Sequence, residues 1–180
     1  MRNGIAGIDH VIVGVRDLEQ ARMGWTRLGF ALTPRGRHIG QGTANYCIMF
    51  PSDYVELLGI VDPQDFVQRL DAFLAHREGL MATAFAPSAA PEEVYSALLA
   101  RELHPSEPRP LGRQLELPEG TAVPRFTLIA LPQSETPGLD SFIRTFDPRA
   151  DAAAGMAEPP ERRSGHQGYS RAGREHGGIA

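Results

Sequence analysis

The hydrophobic pattern of the first 60 residues switches from strand to helix and back to strand. Residues 5–15 alternate apolar and polar side chains and lead to Asp17, which is suited to cap a helix. Gly29 stands where that helix would end. A short run, FALTP, a glycine-punctuated loop and two further strands, TANYCIMF and DYVELLGI, give the order βαβββ. The helix itself is predicted from apolar residues at helical spacing: Leu18, Ala21, Trp25 and Leu28.

The same order of elements is predicted again after a second helical segment, which contains Leu70. GLMATAFAP is typical of a strand, and Pro91 fits the first position of a helix. RQLELP, RFTLIALP and GLDSFIR predict three more strands. Placing GIDHVIV over GLMATAF aligns the two units without a gap. The sequence therefore predicts an α+β protein with an internal duplication, residues 1–63 forming one module and residues 64–145 a linker helix and a second module.

The segment 146–180 has a different composition. It contains almost no large apolar residues, is rich in Gly, Pro, Arg and Ala, and shows neither the helix nor the strand period. Such a segment buries too little apolar surface to offset its ordering entropy, so we expect a disordered C-terminal tail.

Composition excludes several classes of function. The net charge of −4 and the pI of about 5.9 argue against nucleic acid as a partner. No apolar run approaches the length of a membrane span, and no signal-peptide pattern opens the chain. Cys47 is the single cysteine, so an internal disulfide is excluded and a cytoplasmic protein is expected. Every basic residue is Arg, which favours a GC-rich bacterial source.

His10 and Glu56 are the strongest candidates for chemistry. Each lies in a predicted strand among Val, Leu and Ile, where a charged side chain is costly to bury unless it is paired or binds something. Imidazole and carboxylate are also common ligands of first-row metals. The spacing leaves open that His10 is a structural histidine beside Asp9, and that Glu56 forms a salt bridge with an arginine of the nearby loop.

Four further residues are candidates for substrate binding. Arg35, Arg37 and His38 lie in the glycine-rich loop and could hold an anionic substrate, or they could face solvent. Asn45 shares a strand face with Cys47, and its amide could orient a ligand or form a cross-strand hydrogen bond. The sequence contains no phosphate-binding glycine loop, CxxC pair, nucleophile elbow or HExxH motif.

Three segments resemble a glyoxalase-like domain of the vicinal oxygen chelate superfamily: GIDHV, the TPRGRH…GTAN loop and the YVELLGI strand. The resemblance is strong over residues 5–63 and weaker over residues 79–144. It implies paired βαβββ modules forming a curved mixed sheet around a cup, where catalytic members hold a divalent metal such as Zn, Mn, Fe or Ni. The implied ligands come from the first and last strands of each module, and in module one they match His10 and Glu56.

The second module departs from that pattern. Ala82 stands at the position corresponding to His10, and Asp140 and Ser141 lie near the position of Glu56, with Phe142 beside them. A metal at this place would need a further donor, such as His38 or a residue of a second chain.

The resemblance also suggests a second explanation of the tail, at the level of the gene. Family members continue with a segment like HLTPEL…WLSHPNGA, and permissible codons for residues 145–180, read one nucleotide later, can encode such a segment. Met156 followed by Ala157 forces Trp in the shifted frame. The tail is thus either a disordered segment or a possible frameshift product.

Three functions follow from the resemblance. The first is a metal-dependent lyase, isomerase or dioxygenase acting on a small oxygenated molecule, with Glu56 as metal ligand or catalytic base. The second is a resistance-type protein that binds a small molecule without catalysis. The third is a truncated, inactive family member. The expected partners are a small-molecule ligand and, through open sheet edges, a second copy in a homodimer.

Overall fold

The first βαβββ module forms as the hydrophobic pattern predicts. The structure, a computed structural model, describes residues 4–117 and 120–146. Asp17 caps the first helix by accepting a hydrogen bond from the backbone N–H of Gln20 at 2.8 Å. The run FALTP forms only an isolated bridge between Leu32 and Ile48. The elements of the module are β1 (Ile5–Gly14), α1 (Leu18–Arg27), β2 (Gly36–His38), β3 (Thr43–Met49) and β4 (Tyr54–Ile60).

The second module repeats this order and adds one short strand. Pro91 is the first residue of its helix, where the missing N–H costs nothing. The additional strand, β7, pairs antiparallel with the end of β6 and had no signal in the hydrophobic pattern. After the linker helix α2 (Leu70–His76), the elements are β5 (Gly79–Pro87), α3 (Pro91–Leu99), β6 (Arg109–Leu117), β7 (Gly120–Ala122), β8 (Arg125–Leu131) and β9 (Asp140–Phe146).

The described strands form one mixed sheet whose order is β2-β3-β4-β1-β5-β9-β8-β6-β7. Two antiparallel seams join the modules: β1 pairs with β5, and β2 pairs with β6. Because the second seam brings the far ends of the sheet together, eight strands curve around a cup. The predicted fold class, paired βαβββ modules around a cup, is confirmed. The predicted tail, with its possible frameshift, lies outside the described residues.

The two faces of the sheet have different roles. On the outer face, α1 packs over Leu57 and Val15 in one apolar cluster, and α3 packs over Ile129 and Ile143 in another. The inner face is left to line the cup, and α2 lies at its edge with Leu70 fully buried. Since side chains alternate along a strand, each strand supplies both the core and the cup. Among the described helices, none is long and apolar enough to cross a membrane.

Candidate functional site

A cavity of about 400 Å³ occupies the inside of the cup. Its wall comes from both modules: β1, β2, β3 and β4 contribute one half, and β5, β6, β8 and β9 the other. A volume of this size suits a small organic molecule. Four of the six candidate residues from the sequence line it: His10, His38, Asn45 and Glu56.

The Glu56 carboxylate is the centre of the ionisable groups in this cavity. Its Oε2 lies 3.5 Å from Nε2 of His10, and its Oε1 lies 3.9 Å from Nε2 of His38. Asn45 donates a hydrogen bond from Nδ2 to Oε1 at 2.8 Å. Glu56 is only 5% exposed, so these neighbours, and not solvent, compensate its charge.

Asp9 fixes the orientation of the His10 ring. The strand pairing shifts register between Ile8 and His10, and this bulge leaves both Asp9 and His10 buried. Asp9 Oδ2 lies 2.7 Å from Nδ1 of His10, and Tyr54 stacks on the ring at a centroid distance of 4.3 Å. A proton on Nδ1 satisfies this carboxylate, so Nε2 is the atom that faces Glu56.

His38 and Asn45 reach the cavity from neighbouring strands. Nδ1 of His38 lies 2.9 Å from the hydroxyl of Thr43, which leaves Nε2 toward Glu56. The Asn45 amide occupies the space where a Cβ at Gly36 would stand, so a larger residue there would displace it. Asn45 therefore forms the cross-strand hydrogen bond that the sequence left open, while also lining the cavity.

Arg35 and Arg37 do not line the cavity. Gly36 and His38 occupy the inner face of β2, so residues 35 and 37 alternate to the outer face. Arg35 forms an ion pair with Glu116, in which Nε lies 3.0 Å from Oε2. The structure thus brings His38, and neither arginine, toward Glu56. The salt bridge between Glu56 and a loop arginine that the sequence left open is not formed.

Charge and burial set the protonation states of Glu56 and His38. Burial alone would raise the pKa of Glu56, but Arg113, the protonated forms of His10 and His38, and the Asn45 hydrogen bond lower it. Burial lowers the pKa of His38 and outweighs the opposing effect of Glu56. At neutral pH the cavity therefore contains a carboxylate beside a neutral imidazole.

The second module offers no matching pair of ligands. In module one, the parallel pairing of β1 and β4 sets Ile12 beside Glu56, and in module two the corresponding pairing sets Ala84 beside Phe142. Phe142 thus occupies the position equivalent to Glu56, and Ala82 the position equivalent to His10. Neither side chain can ligate a metal.

A four-ligand metal site, as the resemblance implies, does not fit these residues. Within residues 4–117 and 120–146, no group of three or more His, Cys, Asp or Glu side chains is arranged to hold a metal ion. His10 and Glu56 are the donors that the family pattern and the structure share.

Four arginines outside module one line the cavity and were missed by the sequence reasoning: Arg69, Arg109, Arg113 and Arg144. Arg144 on β9 donates a hydrogen bond from Nη1 to Asp9 Oδ2 at 3.0 Å and stacks on Phe126 at 4.7 Å. Arg113 on β6 lies opposite His38 across the seam between modules. The available signal was a charged residue inside an apolar strand, as in SFIRTF, which is the same signal that identified Glu56.

Comparisons with known proteins agree with this architecture. Residues 8–165 match the family model described as a glyoxalase-like domain. No curated protein matches the sequence. A hypothetical protein from Staphylococcus aureus superposes with a TM-score of 0.65 at 14% identity, covering 82% of this chain and 62% of that one. The chain thus spans less than two thirds of that protein.

Two epimerases share the fold. Methylmalonyl-CoA epimerase from Mycobacterium tuberculosis superposes with a TM-score of 0.64 at 17% identity, covering 83% of this chain and 93% of that one. The Streptomyces coelicolor methylmalonyl-CoA epimerase in complex with 2-nitronate-propionyl-CoA gives a TM-score of 0.59 at 16% identity, covering 78% and 97%. At these identities, the likeness shows the fold alone.

Proposed function

Because the chain belongs to the glyoxalase-like domain family, we propose that its cup binds a small oxygenated molecule and transfers a proton on it, as a lyase or isomerase does. One observation carries the proposal. The buried Glu56 carboxylate lies between Nε2 of His10 and Nε2 of His38, at 3.5 and 3.9 Å, on the wall of a cavity that admits a ligand. Ionisable groups with perturbed pKa values in a cleft are typical of acid–base sites.

The pair of Glu56 and His38 supplies the base. The neutral imidazole of His38 accepts a proton from a carbon next to a substrate carbonyl, and the nearby Glu56 carboxylate stabilises the imidazolium that results. Asn45 holds Glu56 in place. His10, oriented by Asp9, lies on the other side of the carboxylate and provides a second position for the proton.

The test is hydrogen exchange at carbon. The purified protein is incubated in D₂O with a panel of 2-hydroxy acids, 2-oxo acids and acyl thioesters, and deuterium incorporation is followed by NMR. We expect incorporation with at least one compound and a loss of about 100-fold or more in Glu56→Gln, within the usual range for general acid–base catalysis. Glu116→Gln changes an exposed glutamate on the outer face and serves as the matched control.

Two results would contradict proton transfer. Equal exchange by Glu56→Gln and the wild type would remove Glu56 from the mechanism. Binding of panel compounds without any exchange would identify a binding protein of the resistance type, which the apolar Ala82 and Phe142 positions of module two also favour.

A metal-dependent form of the activity is the second candidate. It is favoured by the contact between Asp9 and Nδ1 of His10, which leaves Nε2 directed at Glu56. His10 and Glu56 would hold the ion (Zn, Mn, Fe or Ni), and the ion would polarise a substrate carbonyl. Elemental analysis of purified protein, with His10→Ala as the comparison, decides it. Less than about 0.1 equivalent of metal per chain, or equal content in both proteins, would refute this form.

A further inference from the structure

Arg113 is a charged side chain in the cup that the proton-transfer proposal does not use. It lies on β6, one strand across from His38 at the second seam between modules. It lines the same cavity as Glu56. Its guanidinium is therefore positioned beside the place where a ligand would contact Glu56 and His38.

The hydrogen-bonding partners of this guanidinium are few. Nη1 donates to the sulfur of Cys47 at 3.3 Å, and sulfur is a weak acceptor. Nε is buried and has no hydrogen-bond partner in the part of the chain that the structure describes. Within those residues, no carboxylate oxygen pairs with Arg113 at ion-pair distance, although Glu56 is near enough to act through its charge.

Arg144 lines the same cavity, but its guanidinium is paired with a carboxylate. Its Nη1 donates to Asp9 at 3.0 Å, and three aromatic rings surround its guanidinium. The two arginines thus line one cup with different pairing. The charge of Arg144 is compensated by Asp9, whereas Arg113, among the described residues, has a hydrogen bond to a thiol and a more distant carboxylate.

An arginine so placed stays charged. Burial lowers the pKa of Arg113, but Cys47, Tyr54 and Glu56 outweigh that effect and the pKa is raised overall. Its buried Nε nevertheless has no hydrogen-bond partner among the described residues, and a buried donor left unsatisfied is costly unless an acceptor joins it. Guanidinium groups bind carboxylates with two parallel hydrogen bonds, which makes a carboxylate the best-matched anion.

We propose that Arg113 binds the carboxylate group of the ligand, so that the cup takes small carboxylic acids with an oxygenated carbon next to the carboxylate. This inference rests on the proposed function, since it names the substrate class of the same site. The adjoining part of the same wall, with Leu111 on β6 and Phe126 and Leu128 on β8, receives the apolar part of the ligand. Acids with an apolar substituent at the oxygenated carbon therefore fit both Arg113 and this apolar surface.

The probes are mandelate and mandelamide, which have the same shape and hydroxyl group but differ in charge. Binding to the full-length protein is measured by isothermal titration calorimetry. We expect the wild type to bind mandelate at least tenfold more tightly than mandelamide. Arg113→Gln should weaken mandelate binding by at least tenfold and leave mandelamide binding within twofold. Arg125→Gln changes an exposed arginine that does not line the cavity, and should leave both affinities unchanged.

A thermal melt without ligand separates ligand binding from a structural role. If Arg113 serves the ligand, Arg113→Gln melts close to the wild-type temperature, because the hydrogen bond that it loses among the described residues is the weak one to the sulfur of Cys47. If Arg113 instead stabilises the fold, the variant melts at a lower temperature than the wild type. If Arg113→Gln does not fold, Arg113→Lys replaces it in the test. This variant keeps the positive charge but loses the planar guanidinium, so it should bind mandelate more weakly than the wild type does and bind mandelamide equally well.

Three outcomes would overturn the inference. They are equal mandelate affinity in Arg113→Gln and the wild type, equal affinity of the wild type for mandelate and mandelamide, and binding of neither compound. The proposed function is judged separately, by deuterium exchange in Glu56→Gln. Exchange on a neutral thioester with no preference for mandelate would retain the proton transfer and refute the carboxylate site alone.

Discussion

Replacing Asp9 with Asn tests how the cup tolerates its buried charges. Asp9 is 5% exposed and contacts both Nδ1 of His10, at 2.7 Å, and Nη1 of Arg144, at 3.0 Å. Asn has the same shape but lacks the negative charge. The variant therefore removes the ion pair that joins β1 to β9 while leaving the packing of the cup intact.

The expected loss follows from the pKa of Asp9. Burial alone would raise this pKa, but His10 and Arg144 outweigh burial and lower it from 3.8 to about 2. Each difference of one in pKa corresponds to about 1.4 kcal/mol, so the charged form contributes about 2 kcal/mol to the free energy of unfolding at pH 7. Because the folded pKa is the lower one, this contribution is fully present above pH 4 to 5. It is lost as the pH falls toward 2, and about half remains at pH 3.

Urea denaturation followed by circular dichroism measures the effect. Asp9→Asn should be less stable than the wild type by about 2 kcal/mol at pH 7, and the gap should narrow to about 1 kcal/mol at pH 3. Asp53→Asn, at an exposed aspartate, should leave stability within about 0.5 kcal/mol at both pH values. A gap below about 0.5 kcal/mol at pH 7, or an equal gap at both pH values, would refute the reasoning.

Two further predictions concern packing and are also measured by urea denaturation. Gly42→Ala should lower the free energy of unfolding by about 1–3 kcal/mol, because the added Cβ would overlap the carbonyl oxygen of Asp62. Gly24→Ala, in open space on α1, should leave the free energy of unfolding unchanged or raise it by up to about 1 kcal/mol. Equal effects of these two changes would contradict the close approach at Gly42. Leu57→Ala should lose about 2–5 kcal/mol because Leu57 is fully buried beneath α1, while Leu28→Ala, at a side chain 72% exposed, should change stability by less than about 0.5 kcal/mol. A loss at Leu57 no larger than that at Leu28 would show that this cluster is not the core.

The order of the elements was readable from the sequence because it depends on local patterns. Strand alternation, the Asp17 cap and Pro91 at a helix start are each set by neighbours within a few residues, and the structure contains each of them. The internal duplication followed from the same local patterns, repeated. The short strand β7 was missed because it forms by pairing antiparallel with the end of β6 and carries no hydrophobic period of its own.

The inner face of module one was also readable, because a charged residue in an apolar strand is conspicuous. His10 and Glu56 were found in this way, and the structure places their side chains 3.5 Å apart. Arg35 and Arg37 show the limit of this reasoning. Their loop was located from its glycines, but which residues of it face the cup depends on the strand register of β2.

Contacts across the seams were decided by the tertiary structure alone. Arg113 lies opposite His38, and Arg144 donates to Asp9, although each pair is separated by 75 residues or more along the chain. A hydrophobic pattern with a period of two or 3.6 residues indicates which face of a strand or helix a side chain occupies. It does not indicate which distant strand lies beside that side chain. The pairing of β2 with β6 closes the cup, and that closure brings Arg113, whose Nε has no hydrogen-bond partner among the described residues, into the same cavity as Glu56.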